Sequence, residues 1–202
     1  MTTLFVHLNA CSTTPEIADY IRKLDCTIQD SPPIQAYESL KRISRLEFLE
    51  VLDQGLRFEP HDWSKNRMRP ALLHLLHLPT LTHFKMTNIR GFVVSDLLPC
   101  VNLKYLNIGP LTTVAPEITF PAALPEHSIQ LNEFIAGPWI ERETSDAIMK
   151  LCTARRPDGQ PIIDFGSLSK ITVALQRLSD DEALQELFRR CHALTNVHIS
   201  CK

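Results

Sequence analysis

Three histidines, His74, His77 and His83, are the densest set of metal-competent side chains in this 202-residue chain. His74 and His77 stand three apart, so a helix would carry both imidazoles on one face, as zinc sites require. No Cys or carboxylate lies between residues 74 and 83 to complete the set, and His83 falls in a following strand-like segment. The three read as surface or capping histidines, and neither a metal nor another cofactor is expected. His61-Asp62 beside Trp63 is a second candidate, because a carboxylate can orient an imidazole for base catalysis. Its nucleophile is missing: Gly-x-Ser-x-Gly, a P-loop and His-Glu-x-x-His are all absent. Cys152 and the pair Gly166-Ser167 stand alone, so no catalytic residue is assigned. Lys150, Arg155, Arg156 and Lys170 would suit an acidic partner, but Asp146, Asp158 and Asp164 interleave with them, and the cluster reads as a solvated turn.

Composition narrows the classes further. Hydrophobic residues make up 44% and charged residues 22%, the balance of an ordinary folded chain. A net charge of −2 leaves no electrostatic footprint for nucleic acid, and no basic run suggests an anionic membrane. No apolar run reaches 18 residues, and Met1 to His7 lacks the basic-then-apolar order of a signal peptide. Six cysteines (11, 26, 100, 152, 191 and 201) have no paired spacing and read as reduced thiols. By elimination the expected location is intracellular, cytoplasmic or nuclear, with neither nucleic acid nor membrane as partner.

The elements that would position these residues follow one short string, apolar-x-x-apolar-x-apolar. It occurs at Met1/Leu4/Val6, Ile21/Leu24/Cys26, Leu46/Leu49/Val51 and Leu81/Phe84/Met86, and again at Leu103/Leu106/Ile108, Leu131/Phe134/Ala136, Leu168/Ile171/Val173 and Leu194/Val197/Ile199. A single copy means little, because at this composition about 9% of registers match by chance. Context strengthens the series. The steps between copies are 20, 25, 35, 22, 28, 37 and 26 residues, and five of the seven fall within the span of a leucine-rich repeat. Most copies follow a helix-like segment: Thr14-Pro15-Glu16-Ile17 with Thr14 as cap, Tyr37 to Ile43, Arg69 to Leu76, a single turn at Ser95 to Leu98, and Ala147 to Cys152 capped by Thr144-Ser145-Asp146. The last runs from Glu182 to Cys191, capped by Ser179-Asp180-Asp181, with Ala183, Leu184, Leu187, Phe188 and Cys191 on one face. Phe58 to Trp63 reads as a loop, Pro110 to Pro125 as an extended segment, and Arg155 to Gly159 as a turn.

The expected fold is therefore α/β: an irregular leucine-rich-repeat-like solenoid, or horseshoe, of about eight repeats, with a parallel sheet on one face and short helices on the other. Residues 1–202 form a single domain in this reading. The second and third apolar residues of each string point inward, and the residues between them face out. The outward set is Phe5 and His7; Lys23 and Asp25; Phe48 and Glu50; His83 and Lys85; Tyr105 and Asn107; Glu133; Lys170 and Thr172; Asn196 and His198. Mixed charge with embedded aromatics suits a protein-contact face. Trp63 and Trp139 are open between core lids and exposed anchors.

Residues His77 to Phe84 leading to Leu98-Pro99-Cys100-Val101-Asn102-Leu103-Lys104-Tyr105-Leu106-Asn107-Ile108, together with Leu187 to Ile199, resemble the leucine-rich-repeat region of F-box-like proteins from mushroom-forming (basidiomycete) fungi. The resemblance implies a protein-binding scaffold that recruits targets to a cullin-type ubiquitin ligase, with ligase subunits as partners through an F-box. No F-box segment precedes the first string, so the chain is expected to be a fragment lacking that segment and the terminal caps. The expected function is non-catalytic protein binding through the outer sheet face. A small α/β enzyme with its site at strand ends near His61 or Cys152, and a non-functional family remnant, are the alternatives.

Overall fold

A computed structural model of the chain describes residues 15–28, 34–53, 61–115, 125–137, 143–175 and 181–201. The architecture is α/β, built on a seven-stranded parallel sheet with four α-helices among the described residues. The strands are β1 (Lys23–Ile28), β2 (Phe48–Asp53), β3 (His83–Thr87), β4 (Tyr105–Ile108), β5 (Glu133–Ala136), β6 (Lys170–Leu175) and β7 (Asn196–Cys201). The helices are α1 (Ile34–Lys41), α2 (Arg69–Leu76), α3 (Glu143–Thr153) and α4 (Asp181–Arg190). Spatial order in the sheet equals chain order, and each strand pairs in parallel with the next.

One hydrogen-bond motif repeats at every step. The carbonyl just before each strand accepts from two consecutive amides of the following unit. Arg22 O receives Glu47 N and Phe48 N, and Glu47 O receives Thr82 N and His83 N. Thr82 O, Lys104 O, Asn132 O and Ser169 O then do the same for the next four units. This fixes one register throughout, with Lys23, Phe48, His83, Tyr105, Glu133, Lys170 and Asn196 side by side.

The alternation along each strand then sorts side chains by face. Leu24, Leu49, Phe84, Leu106, Phe134 and Ile171 form one buried row, and Cys26, Val51, Met86, Ile108, Ala136 and Val173 the next. Leu46, Leu81, Leu103, Leu131 and Leu168, the first residues of their strings, are buried in the turns that enter the strands. The string therefore marks three successive core positions per unit, which is why it recurs. One contiguous cluster of buried apolar side chains runs from Ala18 to Leu187. In β7 the pattern breaks: Val197 and Ile199 are 47% and 42% exposed.

Helices cover the inner face, α1 packing on α2 and α3 on α4. Asn66 turns the chain into α2 by accepting from Met68 N at 2.8 Å, and Pro70 sits in its first turn, where no amide is lost. Three two-residue parallel ladders complete the core: His61–Asp62 with Ile89–Arg90, Phe92–Val93 with Val114–Ala115, and Ile129–Gln130 with Ile163–Asp164.

Several local expectations are corrected. Pro15–Tyr20 is a 3-10 turn rather than an α-helix, and its proposed cap Thr14 lies outside the described residues. The third helix starts at Glu143, so Ser145 and Asp146 lie inside its first turn instead of capping it. His61–Asp62 is a short strand, not loop. The turn at Arg155 to Gly159 is as read: Gly159 has φ +82° and donates to Arg156 O at 2.9 Å, while Asp158 caps Gln160 N. Trp139, the Met1/Leu4/Val6 string, and Phe5 and His7 lie outside the described residues.

Candidate functional site

The outer face of the sheet brings the proposed contact residues into two rows. The first runs Lys23, Phe48, His83, Tyr105, Glu133, Lys170 and Asn196. The second runs Asp25, Glu50, Lys85, Asn107, Ile135, Thr172 and His198. Of the outward set, only Phe5 and His7 cannot be placed. Ile135 belongs to the face as well, and the expectation missed it by taking only the polar residue of β5. Period-two alternation from Glu133 identifies it.

Neighbours within each row interact, as cross-strand pairs do when strands lie about 4.8 Å apart. The Lys23 ammonium sits 4.6 Å from the Phe48 ring centroid, a cation–π contact. Phe48 stacks on His83 with centroids 6.0 Å apart, and His83 meets Tyr105 at 5.3 Å. Glu133 and Lys170 pair at 2.8 Å. In the second row Glu50 and Lys85 pair at 2.7 Å, and between the rows Asn107 Nδ2 donates to Tyr105 Oη at 3.2 Å. The hydrogen bond and charge of Glu133 hold the Lys170 ammonium above its ordinary pKa.

Two properties follow. The charges are neutralised across strands, so the face has no dominant sign. The aromatic rings stand on edge: both faces of Phe48 and both faces of His83 are occupied by row neighbours. The planes of Phe48 and His83 are thus taken up by row neighbours, unlike the open rings of single-strand nucleic-acid platforms.

The other constellations resolve into local partnerships. His74 Nε2 lies 3.3 Å from Ile43 O and His77 Nε2 lies 2.9 Å from Asp96 O. Carbonyls only accept, so both Nε2 atoms carry the proton. His83 Nδ1 meets Thr82 Oγ1 at 2.8 Å. The three rings thus serve backbone and sheet face, and among the described residues no group of three His, Cys, Asp or Glu is placed to hold a metal ion. Asp62 caps the turn after it, accepting from Ser64 N at 2.9 Å and Ser64 Oγ at 2.7 Å; these bonds hold its carboxyl below the usual range. Cys152 is fully buried, and burial pushes its thiol up to about 12, so the nucleophilic thiolate is not populated at neutral pH. Of the positive cluster, Lys150 bonds Val114 O and Asp146, Arg155 bonds Cys152 O, Arg156 pairs with Asp158, and Lys170 sits on the opposite face with Glu133.

Trp63 is a core residue. It packs on Phe92 at 5.2 Å, which packs on Phe84 at 5.9 Å, and its Nε1 donates to Asp96 Oδ2 at 2.7 Å. Arg69 reaches both Asp96 oxygens at 2.9 Å. Asp96, 8% exposed, therefore ties Trp63, α2 and the turn before β4 together.

An open cavity of about 300 Å³ lies beside Ile163, Phe165, Glu186, Arg189, Arg190 and His192, on the α4 side of the fold and away from His61. Its carboxylates are already engaged: Asp164 accepts from Gly166 N at 2.9 Å and Glu186 pairs with Arg189 and Arg190. No family model, curated protein or solved structure matches the chain. Among the described residues no helix is long and apolar enough to cross a membrane.

Proposed function

We propose that this chain is an irregular leucine-rich-repeat-like solenoid whose outer sheet face binds a protein partner, without catalysis. The observation that carries the proposal is the row of contacting rings Phe48, His83 and Tyr105, flanked by the neutralised pairs Glu50–Lys85 and Glu133–Lys170. Supporting the solenoid is the identical two-amide hydrogen bond at six successive steps, as stacking of like units would produce. A broad sheet of half-buried aromatics and matched charges offers anchoring area without a pocket, which suits protein recognition more than small-molecule binding.

By the resemblance alone, the proposal extends to recruiting a target to a cullin-type ubiquitin ligase. The test has two stages. Affinity purification from the native organism asks whether a partner, and ligase subunits with it, co-purify with the chain. The triple variant Phe48→Ser, Lys85→Glu, Tyr105→Ser is then compared with the parent for capture of that partner. Loss of capture with an unchanged thermal melt is the expected result. Undiminished capture by the folded triple variant removes the sheet face as the site.

A further inference from the structure

The stretch Lys41-Arg42-Ile43-Ser44-Arg45 runs from the last residue of α1 towards β2. No other serine or threonine in the chain has basic residues both two and three positions before it. A large class of protein kinases selects its serine by this charge pattern, because carboxylates beside the kinase active site take the cations and so place the hydroxyl. The fold presents the pattern outward. Lys41, Arg42, Ser44 and Arg45 are exposed, whereas Ile43 and Leu46 are buried and pin the stretch to the core. Lys41 pairs with Glu38 at 3.4 Å, an exposed contact that a kinase carboxylate displaces at little cost. Residues 42–47 lie in neither helix nor strand, and among the described residues no carbonyl takes the amides of Ser44, Arg45 and Leu46. Ser44 is instead held by its side chain: Oγ donates to Asp19 Oδ1 at 2.6 Å, across 25 residues. Asp19 belongs to the 3-10 turn Pro15–Tyr20, which leads into β1. The hydroxyl is therefore a clasp between the first two units.

We propose that Ser44 is a phosphorylation site for a kinase that reads basic residues, and that the phosphate unclasps the first unit from the second. The donor is magnesium-ATP. The bond from the γ-phosphorus to the β,γ-bridging oxygen breaks, a new bond forms to Ser44 Oγ, the hydroxyl proton goes to the catalytic aspartate of the kinase, and ADP leaves. The ester oxygen has no proton to give Asp19, and the phosphate brings a charge of about −1.5 to −2 at neutral pH. Repulsion thus replaces the hydrogen bond to Asp19, while Arg42 and Arg45 on either side of Ser44 offer the phosphate its partners. The first unit carries Lys23 and Asp25, one end of the two outer rows, so the modification loosens that end of the sheet face and leaves the aromatic row in place.

The test incubates the full chain with magnesium-ATP and the catalytic subunit of a serine kinase selective for basic residues two and three positions before its target. Mass spectrometry then counts and locates the phosphate. One phosphate at Ser44 is expected, and none at that position in Ser44→Ala. Arg42→Gln, at an exposed position that leaves the melt unchanged, should slow the transfer by about tenfold or more, as the loss of a hydrogen bond to a charged group produces. Hydrogen–deuterium exchange of the phosphorylated chain should be faster over residues 15–28 and unchanged from β3 onward. Asp19→Asn removes the repelling charge, so phosphorylation should change its exchange less. A folded chain that takes no phosphate at Ser44, while a free peptide of residues 40–47 does, overturns the site, because the fold then hides the hydroxyl. An undiminished rate with Arg42→Gln overturns the recognition by charge. Equal exchange over residues 15–28 with and without phosphate overturns the unclasping.

Discussion

Asp96 offers a sharp test of how the sheet face is held from below. Its carboxylate takes Trp63 Nε1 at 2.7 Å and Arg69 Nη2 at 2.9 Å to both oxygens, with Arg69 Nε at 3.3 Å. Asp96→Ala leaves the indole N–H of a fully buried Trp63 without an acceptor, a cost of about 1–3 kcal/mol. It also strands the Arg69 guanidinium. Losing one partner of a buried pair costs roughly 3–5 kcal/mol. The Arg69 side chain is 30% exposed, however, and water takes over part of its solvation, so about 1–2 kcal/mol is the appropriate share here. Together these give about 3 kcal/mol, or roughly 6–12 °C in Tm for a domain of this size.

Asp96→Asn keeps an acceptor for Trp63 but drops the charge, and should cost about half as much. Arg69→Met with Asp96→Ala should be clearly less than additive, because both remove the same contacts. The assay is urea unfolding followed in parallel by tryptophan fluorescence and far-ultraviolet circular dichroism, whose coincidence checks two-state behaviour. A loss below about 1 kcal/mol for Asp96→Ala, or full additivity in the cycle, would refute the view that this carboxylate is the tie between two consecutive units.

Further consequences can be measured on the same preparation. A Cβ at Gly109 would collide with Thr87 Oγ1 and lie 2.9 Å from Met86 O, so Gly109→Ala should destabilise by about 1–3 kcal/mol; Thr87→Ala should relieve only the side-chain part, as thermal melts of the single and double variants will tell. Burial pushes the thiols of Cys26 and Cys152 up to about 12, above their unfolded value, so the stability they contribute is intact at neutral pH and declines as pH rises from about 8.5 towards 12. Urea midpoints should fall across that window, and a thiol reagent at neutral pH should label both only on unfolding. The hydrogen bond from Arg190 holds the Glu186 carboxyl below its usual range, with the charges of Arg190 and Arg189 acting in the same sense, so its contribution is present above the unfolded pKa and lost as pH falls below about 4. Glu186→Gln should flatten that acid limb of the stability curve relative to the parent.

What was readable in the sequence, and what was not, divides along a physical line. The rows of the sheet were legible because burial imposes period two within a strand and one register across all seven; a buried Leu131, Phe134 and Ala136 oblige Glu133 and Ile135 to face out. Helix α4 was legible because Ala183, Leu184 and Leu187 repeat at helical spacing, and each is buried. The tie at Asp96 was not, because its partners Trp63 and Arg69 are 33 and 27 residues away and no periodicity links a carboxylate to a distant indole. The two-residue ladders escaped for the same reason, being too short to show alternation. The face itself lies between these cases. Sequence pattern is enough to put Phe48, His83 and Tyr105 outward, but that each ring covers its neighbour's plane depends on side chains from units 22 to 35 residues apart meeting in register. That stacking takes up the planes of Phe48 and His83, which on the proposed reading favours a protein over a planar ligand.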